Sequence, residues 1–210
     1  MKGLFVTFEG IDGCGKSTQV DAARLGLEEK GIACTVTREP GGAPISEKVR
    51  GILLSPDNSE MCNACEVLLY LAARAQHVHE KIAPALAKGG VVLCDRFMDA
   101  TFAYQSYGRG IPLDQLFTMN DFATGGLAPS LSFVFDVDVD TAFSRLKKAG
   151  KMPDRLERSG REFYEKVRGG YLALASFYPQ RIVVLSGAAP VEELSRTVTE
   201  SILRRFPKNP

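Results

Sequence analysis

The stretch "GIDGCGKS", Gly10 to Ser17, fits the pattern G-x-x-x-x-G-K-[ST] in full. It follows a short apolar run and opens a long helical pattern. That setting is what a phosphate cradle requires. Glycines let successive backbone N–H groups turn toward phosphate oxygens, and the N-terminus of the following helix adds partial positive charge. Lys16 is placed to reach β- and γ-phosphates, and the Ser17 hydroxyl to ligate Mg2+. Asp12 lies inside the same loop. A carboxylate beside phosphates repels them, so it needs a role: holding a metal-bound water, or accepting a hydrogen bond near a phosphate acceptor. The plainer reading is an Asx-type turn.

Phosphoryl transfer calls for more cation than one lysine and a metal. "VVLCDRF" ends an apolar run in Asp95-Arg96. Asp95 suits the second carboxylate of the metal site, and Arg96 suits a fork on an acceptor phosphate. "TREPGG", Thr37 to Gly42, ends another run and places Arg38 to hold a second anion opposite the loop. In "YLAARAQHVHE", Tyr70 and Arg74 are four apart and share a helix face. Together they suit stacking on and hydrogen bonding to a flat base, although a core aromatic beside a surface arginine is the plainer pairing. His77 and His79 point to different faces and do not read as a metal site. From Arg145 to Arg161 seven basic residues face only Asp154 and Glu157, with Gly150, Pro153 and Gly160 between them. Beside a phosphate site that stretch reads as a basic lid over about 150–161; alone, it would be a solvated loop.

These residues are set by an alternating chain. Short apolar runs at Leu4–Glu9, Cys34–Arg38, Val91–Asp95, Leu131–Asp136 and Ile182–Leu185 read as buried parallel strands. Helical patterns lie between and after them: Lys16–Lys30, Ile45–Leu54, Glu66–Lys88 (kinked or split near Pro84), Asp99–Gln105, Leu113–Ala123, Val139–Lys148, Arg161–Phe177 and Val191–Phe206. No repeat, low-complexity tract or linker interrupts them. The expectation is one α/β domain over 1–210, with helices on both faces of a parallel sheet and ligands at the strands' carboxyl ends. Each chemical motif falls at such an end.

The 210 residues are 45% hydrophobic and 24% charged with net charge +1, so no chain-wide basic field for nucleic acid is present. No apolar run is long enough for a membrane span, and the N-terminal run stops at Glu9 without a cleavage signal. Five cysteines in a chain that needs no staples read as reduced thiols in a cytoplasm. "CNAC" (Cys62, Cys65) has no second metal-ligand pair nearby and reads as a helix start.

"FEGIDGCGKST", "TREPGG", "LAARAQH", "DRF…TFAYQ" and "DRLE" occur in the order and rough spacing of the thymidylate kinases, and from Leu4 to the C-terminal helix the chain resembles the bacterial type. The resemblance implies a three-layer α/β/α P-loop kinase fold with a five-stranded parallel sheet, and a homodimer in the cytoplasm. It implies transfer of the ATP γ-phosphoryl group to dTMP, giving dTDP and ADP on the way to dTTP. The loop Gly10, Ile11, Asp12, Gly13, Cys14, Gly15, Lys16, Ser17 and Thr18 would hold ATP, with Mg2+ on Ser17 and Asp95. Asp12 would sit between donor and acceptor phosphates, with Arg38 and Arg96 on the dTMP phosphate. Tyr70 would stack on the thymine, Arg74 would hydrogen-bond it, and Thr101 and Gln105 would line its site. Tyr104 would disfavour a 2′-hydroxyl.

The departures are Tyr70 for the usual Phe, "DRF" for the commoner DRY or DRH, and Cys14 for the usual alanine. Some relatives carry an arginine at the position of Gly13. Glycine supplies no charge, so the lid would, with Arg155 of "DRLE" leading and Arg145, Arg158 and Arg161 behind it. Two rivals remain. One is a P-loop kinase acting on a different nucleoside monophosphate. The other is a non-catalytic nucleotide switch, which would not need Arg38, Tyr70, Arg74 and Tyr104 as a second site.

Overall fold

The computed structural model describes residues 3–150, 155–156 and 159–206. Five strands, β1 Leu4–Glu9, β2 Cys34–Arg38, β3 Val91–Asp95, β4 Leu131–Asp136 and β5 Ile182–Ser186, form one sheet in the order β2-β3-β1-β4-β5. All neighbouring pairs are parallel. Every residue of β1 is buried, as a central strand covered on both faces must be. The sequence bounds of the first four strands are met; β5 runs one residue further.

The described helices are α1 Lys16–Glu28, α2 Pro44–Leu54, α3 Asn63–His77, α4 Ala83–Ala87, α5 Met98–Thr101, α6 Leu113–Thr124, α7 Val139–Lys148, α8 Arg161–Phe177 and α9 Val191–Arg205. A 3₁₀ turn, Pro56–Asn58, lies between α2 and α3. The pattern expected as one helix from Glu66 to Lys88 starts earlier, at Asn63, and is joined to α4 by a π-helical turn, Val78–Ile82. Pro84 gives the reason: it has no N–H for the carbonyl four residues back, and the widened turn just ahead absorbs the mismatch. α5 likewise continues into a π-helical stretch, Phe102–Gly108, beyond the expected Gln105.

Register does the positioning. Asp95 is level with Phe8 of β1 and with Arg38 of β2. The P-loop, the Asp95-Arg96 pair and the Arg38-Glu39 pair therefore emerge side by side from three adjacent strands. β1 anchors its end with Phe8 stacked near Phe135, ring centres 6.2 Å apart, while Phe5 meets Phe97 edge-on at 4.8 Å. The P-loop is fixed against α7 by Gly13, whose φ is +82°. A Cβ there would lie 2.4 Å from the Ala142 carbonyl oxygen, so this chain has no room at that position for any longer side chain.

Candidate active site

One cleft of about 590 Å³ opens over the carboxyl ends of the strands. Its lining joins P-loop residues Asp12, Gly13, Gly15, Lys16, Ser17 and Thr18 to Arg38, Tyr70, Arg74, Asp95, Arg96, Thr101, Tyr104 and Gln105. Gly10, Ile11 and Cys14 form the loop's inner wall. Ile11 and Cys14 are buried, and the carbonyl oxygens of Gly10 and Ile11 accept from Lys16 Nζ at 3.0 and 2.9 Å. The lysine is thus held across its own loop, with its ammonium 3.6 Å from Cys14 Sγ.

Arg96 is the centre of the cleft. Its φ of +69° is the left-handed region that a side chain adopts only under constraint. The guanidinium donates to Gly10 O at 3.0 Å, Asp12 Oδ1 at 2.7 Å, Tyr104 OH at 3.1 Å and Tyr171 OH at 3.1 Å. Asp12 Oδ2 accepts from Tyr104 OH at 2.9 Å and from Tyr164 OH at 3.0 Å. Arg38 is half exposed and paired with Glu47 at 3.0 Å. Arg74 is buried, 2.7 Å from Glu39 Oε2 and 3.0 Å from Asn120 Oδ1, with its guanidinium over the Phe97 ring. Gln105 donates to Glu66 at 3.1 Å.

Ser17 Oγ donates to Asp95 Oδ2 at 2.8 Å. A hydroxyl and one carboxylate are hard oxygen donors. Among the described residues no group of three or more His, Cys, Asp or Glu side chains is gathered. That is the donor set of a Mg2+ held partly by substrate phosphates, not of a closed protein cage, so the residues fit the ion.

The thymidylate kinase family model matches residues 8–198. A thymidylate kinase of Geobacter sp. (strain M21) is 47% identical over 209 residues, covering 97% of this chain and 93% of the relative. One from Pseudomonas putida (strain GB-1) is 46% identical over 198 residues, 94% of each chain. The crystal structure of thymidylate kinase from Ehrlichia chaffeensis superposes with a TM-score of 0.79 at 31% identity, over 96% of this chain and 100% of that one.

The chain belongs to the thymidylate kinase family. As a member it is an ATP-dependent nucleotide kinase that phosphorylates dTMP to dTDP.

Within that thymidylate kinase frame, the basic residues expected of a lid are dispersed. Residues 151–154 and 157–158, Arg158 included, lie outside the described residues. Arg155 does not stand beside the P-loop. Its Nη2 is 2.5 Å from Glu66 Oε2, and its Nε donates to Leu53 O at 2.9 Å. Arg161 is exposed and paired with Asp140 at 2.8 Å. Arg145 alone of these lines the cleft, donating to Gly187 O at 3.1 Å. Cys62 and Cys65 are exposed at the start of α3, as expected of helix-start residues.

The groups that hold these side chains carry no motif of their own in the sequence. Tyr164 and Tyr171, seven apart on α8, share a buried face whose hydroxyls reach Asp12 and Arg96, and that heptad spacing is the available signal. Glu39 stands inside "TREPGG", where only Arg38 drew notice. Glu9 closes β1, wholly buried, with Oε1 accepting from Phe97 N at 2.8 Å and Oε2 from Tyr171 OH at 3.3 Å.

Electrostatics separates Asp12 of the loop from Glu9 at the end of β1. For Asp12 burial works upward, but the Arg96 guanidinium and the Lys16 ammonium outweigh it and hold the carboxyl well below the usual range. Burial raises the Tyr104 hydroxyl well above its ordinary value, and the neighbouring Asp12 adds to this, so it remains a donor. Glu9 goes the other way: burial first, then the nearby Asp99 carboxylate, push it up to about 8. A folded pKa above the unfolded one means that folding takes up a proton. The stability Glu9 supports is therefore full below its unfolded value of 4.5 and falls as pH rises to about 8. Glu9→Gln keeps the neutral shape and both hydrogen-bonding positions. Its melting temperature relative to the parent is expected to rise between about pH 5 and about pH 9, read by thermal unfolding. A difference that does not change with pH would show Glu9 ionised in the fold.

Proposed function

We propose that this chain carries out its transfer with the donor phosphates on Gly10–Thr18 and the dTMP phosphate between Arg38 and Arg96. What carries the proposal is that one cleft is lined at one end by Lys16 and Ser17 and at the other by Tyr70, Arg74 and Gln105. A nucleotide switch has no use for the second end.

Lys16 leaves its loop carbonyls for phosphate oxygens. Asp12, kept ionised, fixes the tilt of Arg96, and Arg96 with Arg38 aligns the acceptor oxygen. Ser17 and Asp95 would hold Mg2+, which would supply charge neutralisation at the donor phosphates. Tyr70 stacks on the thymine, Arg74 donates to its edge, and Thr101 and Gln105 complete the pocket. The Tyr104 ring stands where a 2′-hydroxyl would sit. No residue need act as a covalent nucleophile. Turnover is expected to favour dTMP over UMP and AMP by ~10- to 100-fold in kcat/KM, since each mismatch leaves a buried polar group unpaired. A coupled ADP-release assay across dTMP, dUMP, UMP, dCMP and AMP tests this, and AMP turned over as well as dTMP would overturn the acceptor assignment.

The remaining positive charge falls to Arg145 and Arg155. Arg145 already lines the cleft. Arg155 reaches the moving phosphoryl group by exchanging the Glu66 carboxylate for phosphate oxygens, an anion for an anion. Arg155→Ala is expected to lower kcat by ~10²-fold with little loss of dTMP affinity, the pattern of a contact made in the transition state. An unchanged kcat would show that Arg155 does not supply the charge.

The enzyme is also proposed to be a cytoplasmic homodimer. Five free cysteines suit a reducing compartment. Among the described residues no helix is long and apolar enough to cross a membrane. Exposed Ile45 and Ile52 of α2, Leu68 of α3 and Phe122 of α6 put apolar surface on three helices that pack side by side. Leu68→Glu is expected to shift sedimentation from dimer toward the 22.8 kDa subunit at micromolar concentration. A parent chain that sediments as the subunit would refute the dimer.

A further inference from the structure

Behind Arg74 lies a buried relay that meets the cleft only at Glu39. Glu39 accepts through Oε2 from Arg74 Nε at 2.7 Å, while its Oε1 is 3.1 Å from His77 Nδ1. His77 Nε2 is 2.7 Å from Thr37 Oγ1, and the imidazole is 0% exposed. A carboxylate only accepts, so Nδ1 carries a proton toward it, while the Thr37 hydroxyl, which can donate or accept, fills the Nε2 side. The ring is also packed under the loop: a Cβ on Gly42 would lie 2.3 Å from Nε2. Three separate parts of the chain meet here: β2 with its following loop, α3, and through Asn120 the helix α6.

We propose that His77 is a positioning residue for nucleobase recognition: it pins the free oxygen of Glu39, and Glu39 so pinned fixes the Arg74 guanidinium toward the base. This rests on the reading of Arg74 as the group that meets the thymine. With both oxygens of Glu39 occupied, the carboxylate plane cannot turn. Arg74 Nε and Nη2 then share Oε2, while Nη1 is held by Asn120, which leaves the guanidinium one orientation. Without the Nδ1–H donor, Oε1 is buried and unpaired, and the carboxylate rotates to recover a partner, taking Arg74 with it.

The test uses two isosteres. The amide nitrogen of asparagine falls where Nδ1 sits, and that of glutamine where Nε2 sits. His77→Gln is expected to raise the KM for dTMP about tenfold with kcat and the KM for ATP within about twofold, while His77→Asn stays within about twofold of the parent throughout. Combined with Arg74→Ala, His77→Gln is expected to add nothing. A dTMP KM unmoved by His77→Gln, or raised as much in the Arg74→Ala background, would overturn the relay while leaving Arg74 as the base reader. A dTMP KM unmoved by Arg74→Ala itself would instead sink the base reading, and the relay with it. If the glutamine variant does not fold, Thr37→Val decides. Loss of the hydroxyl on Nε2 is expected to raise the dTMP KM about threefold in the parent and not in Arg74→Ala; no change in the parent overturns the proposal.

Discussion

The ion pair between Arg96 and Asp12, 2.7 Å long, is the interaction on which the site depends. Arg96 leaves β3 and Asp12 leaves β1, and adjacent parallel strands bring both to one edge. The arginine accepts a left-handed φ of +69°, a conformation that costs on the order of 1–3 kcal/mol, and four acceptors hold it there. Two of them, Tyr104 and Tyr171, come from the segment after β3 and from α8. The pair therefore ties the P-loop to the segment after β3 and to α8. Removing Asp12 would strand a charge in a partly buried place, which is far costlier than never having built the pair.

The other cations of the cleft follow the same rule. Lys16 rests on its own loop carbonyls, Arg38 on Glu47, Arg74 on Glu39 and Arg145 on Gly187 O, and outside the cleft Arg155 rests on Glu66. A chain of net charge +1 has no excess field with which to draw in two phosphate-bearing nucleotides. It concentrates positive groups locally and keeps each satisfied until phosphate oxygens take over. Exchange of one oxygen acceptor for another costs little, whereas ordering a loose side chain does not come free.

The strands and the P-loop were legible because their signals are local. Buried parallel strands read as unbroken apolar runs, and the glycine-lysine-serine spacing fixes a loop by itself. The π-helical turns were not legible, since nothing in "HVHEKIAPA" separates a widened turn from a plain helix except Pro84. Nor were the partners of the site side chains. Tyr164 meets Asp12 across 152 positions and Glu39 meets Arg74 across 35, and such pairings are consequences of sheet order rather than of any spacing. Nor was the seat of Arg155 legible: it rests on Glu66, whose buried carboxylate also gathers Gln105 and Arg109, and no spacing along the helix announces that.

The two ends of the cleft differ in stiffness in the direction their tasks require. Side-chain exposure is 53% at Arg38 and 2% at Arg74. A phosphate is a strong, nearly isotropic anion, and a mobile guanidinium can find it and still be aligned by binding. A base edge offers only a few neutral acceptors at fixed angles, and a donor that swings would satisfy many rings equally well. Discrimination therefore needs the donor oriented before the ligand arrives, and in a folded chain that is done by burying it among acceptors of the protein's own. The Thr37–His77–Glu39–Arg74–Asn120 line is such an arrangement. Arg38 at the other end is left with an exposed partner that it can exchange, as the proposed phosphate contact would require.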